Sequence, residues 1–339
     1  MVAREKAFKK FNEPEESRIA FQRGSNQKFN DFIMLLASGK MRSRALALSV
    51  ITSVLFLLVS EAKGTEVMTF PEIKSLTTYI FVKSEGKFIP NGTGFFVGVK
   101  NLSKTTDFDL CLVAPKHSLY QPGTTQFLDT IYIRLNKKNG GVELAAIPIR
   151  AQGKDKTIFM HPDTTVDLAV IPALPDQKKY NFKFIPDQFI LSKEASVNFN
   201  IYEGFEVFFP SLFFPSLGSA GNYPFIRFGR FVLITNEKLD WKGTPTNLYV
   251  IENSSSYGED SGAPVFFYTE SSCVPAGQQS LKLAGVIQGT FCDAPRERKI
   301  IEKNNTSLQF TNMGIAAVIP SYKLHEVIFS EEMKRKRGF

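Results

Sequence analysis

The stretch Gly258-Glu259-Asp260-Ser261-Gly262-Ala263-Pro264-Val265 limits what this chain can be more than any other. Gly262 admits a sharp turn and Pro264 stops a helix. The β-branched and aromatic run Val265-Phe266-Phe267-Tyr268 then favours a strand. A tight turn feeding a strand can push the Ser261 hydroxyl out of the fold. A serine hydroxyl is a poor nucleophile at neutral pH, so chemistry there requires an imidazole to take its proton and a carboxylate to orient that imidazole.

The chain has 3 histidines to supply the base. His117 closes the apolar run Leu110-Cys111-Leu112-Val113-Ala114-Pro115-Lys116, which places it at a strand end. His161 opens His161-Pro162-Asp163, and Asp167 then heads the apolar run Leu168-Ala169-Val170-Ile171. His325 lies in Ser321-Tyr322-Lys323-Leu324-His325-Glu326, which has helical spacing. A single histidine is more often structural than catalytic. Segments in the order His, Asp, Ser, each beside an apolar run, point to a nucleophilic triad.

These segments resemble the trypsin-like, chymotrypsin-fold serine peptidases, in the plainer bacterial or HtrA-type form without a PDZ domain. Thr93-Gly94-Phe95-Phe96-Val97 is similar to the strand that precedes the family's histidine, and Leu112-Val113-Ala114-Pro115-Lys116-His117 to the strand that carries it. The segment from His161-Pro162 to Asp167-Leu168-Ala169-Val170 is similar to the aspartate strand. Asp260-Ser261-Gly262-Ala263-Pro264 is similar to the serine loop, and Ala284-Gly285-Val286-Ile287-Gln288-Gly289 to the strand after it. Gly314 to Pro320 resembles the last strand before a C-terminal helix. The likeness covers roughly residues 70–328. It implies His117 as general base, Asp167 as its orienting acid and Ser261 as nucleophile, with His161 structural and Asp163 the rival carboxylate.

Two departures from the family pattern stand out. Glu259 occupies the place where glycine usually donates one oxyanion N–H, the Ser261 N–H being the other. Glu259 keeps its N–H but resists the positive φ that glycine accepts, and loss of one such donor costs about 100- to 1000-fold in turnover. Pro115-Lys116 replaces the usual pair of alanines. The resemblance also places a substrate pocket around Ser255, Ser256, Gln288, Gly289, Thr290 and Gly314. With no acid at Ser255, and Thr290 narrowing the pocket, small or uncharged side chains are expected there. No segment resembles the new N-terminus that activates trypsins.

The expected function is therefore an exported serine endopeptidase acting on polypeptide through an acyl-enzyme. The alternative is a non-catalytic secreted binding protein on the same fold, favoured by Glu259. No cofactor or metal is expected, since no His/Cys spacing suggests one, and the chain is expected to be a monomer.

The fold class expected is all-β: two packed antiparallel β-barrels with a C-terminal helix. The first barrel is assigned to residues 63–175, a linker to 176–187, the second barrel and helix to 188–328, and a basic, solvated tail to 329–339. The 339-residue length and 43% hydrophobic content suit a sizeable core, and the 32 phenylalanines suit strand packing. Leu212-Phe213-Phe214-Pro215 is a minor candidate for a lipid- or substrate-contacting loop.

Residues 1–62 are read as an extension and signal peptide. Met41-Arg42-Ser43-Arg44 precedes an apolar run at residues 45–59, and Ser60-Glu61-Ala62 offers small residues for cleavage. Met41 is an alternative start. Secretion or periplasmic export is expected, with an uncleaved signal anchor as the alternative, so membrane contact would come only from residues 45–59. The net charge of +8 is concentrated at both termini, and no nucleic-acid partner is expected. Cys273 and Cys292 fall at opposite ends of one expected hairpin, too far apart for a disulfide, and Cys111 is expected to be buried. The sequons beginning at Asn91, Asn101, Asn253, Asn304 and Asn305 matter only in a glycosylating host.

Overall fold

The computed structural model describes residues 68–101, 108–121, 123–199, 201–212, 217–253, 260–270, 279–293 and 311–337, all within the compact unit Glu66–Phe339. The first half is an eight-stranded sheet. Its strands are β1 (Thr77–Ser84), β2 (Lys87–Lys100), β3 (Phe108–Ala114), β4 (Thr130–Asn136), β5 (Val142–Pro148), β6 (Phe159–Met160), β7 (Ala169–Pro172) and β8 (Ile185–Pro186). They follow the order β5-β4-β1-β2-β3-β7-β6, with β8 lying parallel to β2.

The second half is a closed barrel. It contains β9 (Glu206–Ser211), β10 (Phe225–Leu233), β13 (Tyr249–Glu252), β14 (Pro264–Glu270), β15 (Gln279–Asp293) and β16 (Thr311–Pro320), in the order β10-β13-β16-β15-β14-β9. Between β10 and β13, β11 (Leu239–Trp241) and β12 (Thr244–Thr246) make a separate two-stranded hairpin.

The protein is thus mostly β, as expected, but the two halves close differently. The barrel closes by ladders alone. In the first half β6 is only two residues long, and no ladder joins it to β5. The N–H groups of Thr157 and Ile158 instead donate to the Arg150 carbonyl, at 2.9 and 3.4 Å, just beyond the end of β5.

Period-2 alternation explains the long apolar runs. A strand covered on both faces needs apolar residues at every position. In β2, Phe95, Val97 and Val99 enter a core shared with the other half, while Phe96 enters the core inside the first sheet. In β3, Cys111 and Val113 face the shared core and Leu112 and Ala114 the inner one. In β14, Phe266 faces the shared core, and Val265 and Phe267 fill the barrel. The shared core joins the halves and is capped by Leu324, Val327, Ile328 and Met333.

Several segments make contacts that local composition does not announce. Residues 176–187, read as a linker, are fastened to the first sheet. Tyr180 bridges to Lys137 and donates its hydroxyl to Glu143 at 2.9 Å, and β8 pairs with β2. Beside the expected C-terminal helix, α1 (Phe70–Lys74) and α2 (Lys193–Asn198) are short helices. Their signals are local. The Thr69 N–H and hydroxyl both reach Glu72 Oε2 at 3.0 Å, a capping box, and Ser192 Oγ accepts from the Ala195 N–H at 3.1 Å.

After α3 (Ser321–Ile328), the expected solvated tail forms α4 (Glu331–Lys336). Ser330 caps it, Met333 is fully buried, and Arg337 donates to the Ile328 carbonyl at 3.0 Å. Buried Met333, the Arg337 bond and an ion pair of Lys156 with Glu332 at 2.7 Å together dock this charged tail. Among the described residues, no helix is long and apolar enough to cross a membrane. Residues 45–59, Phe213 to Pro215, Cys273, Asn304 and Asn305 lie outside the described residues.

Candidate active site

Ser261 sits in a turn held by four backbone hydrogen bonds. The Ala263 N–H closes the turn onto the Asp260 carbonyl at 2.9 Å. The Gly262 N–H donates to the Ile287 carbonyl at 2.8 Å, and the Ile287 N–H to the Ala263 carbonyl at 2.9 Å, which fastens the turn to β15. The Thr93 N–H donates to the Ser261 carbonyl at 3.2 Å, which fastens it to β2 in the other half. Gly262 has φ +90°, and a Cβ there would lie 2.0 Å from the Thr93 carbonyl oxygen. Only glycine fits this approach.

His117 lies on a single 3-10 turn, Lys116–Leu119, directly after β3. Pro115 begins that turn and packs on the serine loop; a Cβ on Gly262 would be 2.8 Å from its Cδ. Lys116 is buried, and its Nζ donates to the Thr164 carbonyl at 2.8 Å. The Pro-Lys departure therefore ties the histidine turn to both the serine and the aspartate loops. Burial pushes the Lys116 ammonium below its ordinary pKa, against the opposing pull of Asp167 and Asp163.

Asp167 follows the turn in which the Val166 N–H bonds to the Asp163 carbonyl at 3.1 Å. Its Oδ2 accepts from His117 Nδ1, and its Oδ1 accepts from the His117 backbone N–H at 3.1 Å. The Asp167 side chain is 17% exposed and the His117 ring 46%. Burial pushes the Asp167 carboxyl up, but the hydrogen bonds and charge of His117 outweigh this and hold it below its ordinary value. A carboxylate accepting at Nδ1 leaves the Nε2 lone pair of neutral imidazole facing outward. Ser261 Oγ stands 3.2 Å from that Nε2 and 3.0 Å from the Gln288 carbonyl oxygen. One hydroxyl proton thus has two acceptors and can bond fully to one at a time.

Asp163 is turned elsewhere. Its Oδ1 accepts from the Thr165 hydroxyl at 2.7 Å and N–H at 3.0 Å, and its Oδ2 lies 3.3 Å from Lys238 Nζ. His161 is buried, takes the Asp163 N–H on Nδ1 at 2.9 Å and pairs through Nε2 with Glu326 of α3. His325 packs against Phe329 with the rings tilted and their centroids 4.4 Å apart. Neither histidine joins the serine.

Of the expected pocket residues, Gln288, Gly289 and Thr290 follow one another on β15, and Gly314 lies on the neighbouring β16. The Gly314 carbonyl accepts from the Asn253 N–H at 2.7 Å. Ser255, Ser256 and the oxyanion residue Glu259 lie outside the described residues. Trp241 was not anticipated in this region. A Cβ on Gly289 would come 3.2 Å from its ring, which meets Phe291 edge-on at 5.0 Å. Trp241 reaches the site from a separate hairpin, a placement no local spacing reveals.

No protein-family model and no curated protein matches the chain. Solved structures that resemble it include the MamO protease domain of Magnetospirillum magneticum in its apo form. That likeness has 12% identity, covers 76% of this chain and 98% of that one, and has a TM-score of 0.43. Catalytically inactive tobacco etch virus protease complexed with substrate is 10% identical, over 79% of this chain and 88% of that one, with a TM-score of 0.37.

Proposed function

We propose that the protein is a serine endopeptidase that cleaves polypeptide through an acyl-enzyme. One observation carries this reading: the continuous chain from Asp167 through both ring nitrogens of His117 to Ser261 Oγ, with 3.2 Å at its last link. In this reading His117 Nε2 takes the Ser261 proton as Oγ bonds to the scissile carbonyl carbon. The resulting imidazolium is stabilised by Asp167 and gives that proton to the leaving amine. Water then repeats the sequence in reverse and releases the acid. In this reading the Ser261 N–H serves as one oxyanion donor, and the sequence motif alone assigns the second to the N–H of Glu259. The HtrA-type subgroup and the preference for small or uncharged side chains rest on the sequence motifs alone.

The test is covalent labelling with a fluorophosphonate. Wild-type protein should be modified at Ser261, and Ser261→Ala should not be labelled. Asp167→Asn should slow labelling by at least about 100-fold, because the wrong imidazole tautomer then faces the serine. A folded wild-type protein that resists the reagent overturns the peptidase reading in favour of a non-catalytic binding role.

A further inference from the structure

Asp260, the residue before Ser261, is a carboxylic acid sealed inside the barrel, only 1% exposed. An ionised carboxylate in such a place is costly unless hydrogen-bonded and paired. Two side chains meet its Oδ1. The Ser211 hydroxyl, fully buried, donates to it, and Arg227 Nε lies 3.3 Å away with its side chain 9% exposed. Oδ2 is equally buried and has no hydrogen-bond partner among the described residues. Compensation is therefore concentrated on Oδ1.

The two partners come from adjacent strands. Ser211 pairs with Phe225 and Phe209 with Arg227 across β9 and β10, so Ser211 and Arg227 are diagonal neighbours on one face. They are rigid relative to each other and bracket the carboxylate. None of the three side chains takes part in the proton transfers described above.

We propose that Arg227 and Ser211 are positioning residues for the nucleophile, acting through Asp260. Asp260 shares a peptide bond with Ser261, and its carbonyl closes the serine turn onto the Ala263 N–H. Fixing the Asp260 side chain fixes the plane of that peptide. The plane sets where the Ser261 N–H points and where Oγ stands relative to His117. If the Arg227 charge is removed, the stranded carboxylate turns toward water and rotates the peptide with it. This proposal deepens the peptidase reading and rests on Ser261 being the nucleophile, but its structural half can be measured without activity.

The experiment uses Arg227→Met, Arg227→Lys and Ser211→Ala in the full chain, with folding followed by circular dichroism and thermal unfolding. Hydrogen exchange of residues 260–266 should speed up at least about tenfold in Arg227→Met, while residues 108–114 of β3 stay protected. Fluorophosphonate labelling of Ser261 should slow about 100-fold, the scale of a misdirected oxyanion donor. With an activated ester, kcat should fall by a similar factor while KM moves less than about twofold. Arg227→Lys should restore most of the rate by returning the charge, and Ser211→Ala should show the same pattern more weakly.

A folded Arg227→Met protein with unchanged exchange at residues 260–266 overturns the proposal. Exchange rising equally throughout the molecule does so as well, because the pair is then merely structural. If Arg227→Met does not fold, Ser211→Ala decides by the same criteria. Wild type that escapes labelling while exchange responds as described would defeat the peptidase reading, and with it any role toward a nucleophile, and leave only the holding of the serine turn by Arg227 and Ser211.

Discussion

Gly262 shows how little freedom the serine loop has. Alanine there would meet the Thr93 carbonyl at 2.0 Å and would have to hold φ near +90°. Gly262→Ala should cost more than about 2 kcal/mol, from strain together with collision against backbone; chemical denaturation will measure it. At Asp163, the Thr165 hydroxyl and N–H, followed by Lys238, hold the carboxyl at about 2. An unfolded aspartate titrates at about 3.9. A depressed folded value stabilises the native state fully above that pH, and the contribution is lost as pH falls toward about 2. Asp163→Asn should therefore unfold at lower temperature than wild type at pH 7, with the gap closing in acid. The choice of Asp167 over Asp163 followed from its place at the head of an apolar strand. The Asp163-x-Thr165 spacing offers the matching local reason, since an aspartate readily accepts from the backbone two residues on.

At the scale of elements, the strand runs around His117, Asp167 and Ser261 were legible because both their faces are buried, making them apolar at nearly every position. The docking of residues 176–187 and of the tail was not legible, because both segments are rich in lysine or arginine. Charge on such segments says nothing of the few apolar anchors, Tyr180 and Met333, that dock them. Arg134 of β4 shows a cross-connection with no sequence signal. It is buried, donates to Asn222 Oδ1 at 2.6 Å and to the Gly221 carbonyl at 3.3 Å, and also reaches the Gly218 carbonyl. Asn222 answers by donating to the Arg134 carbonyl at 2.6 Å. This ties a loop of the second half to a strand of the first. Arg134→Met keeps most of the volume and strands those acceptors, each unsatisfied group costing about 1–3 kcal/mol. The variant should lose stability by that order, and proteolysis should begin at the 217–224 loop.

For the molecule as a whole, the site exists only where the halves meet. His117 and Asp167 belong to the sheet, Ser261 to the barrel, and the Thr93 N–H to Ser261 carbonyl bond crosses between them. The C-terminal helices brace this junction. Met333 is fully buried in the shared core, and His161 pairs with Glu326 across it. Met333→Ala should cost about 2–5 kcal/mol, the range for emptying a buried long side chain, as read from thermal unfolding. If the cost is under about 0.5 kcal/mol, α4 is not part of the folded unit. The sequence by itself determined the β class and the strands beside the three candidate residues. Both are written in local periodicity and in residue types with few alternative uses. Tertiary structure alone decided the partners of Asp260, the approach of Trp241 to Gly289, the open ladder between β5 and β6, and the docking of the last helix. Each depends on groups distant in sequence meeting at a specific distance, and neighbouring residues along the chain carry no trace of that.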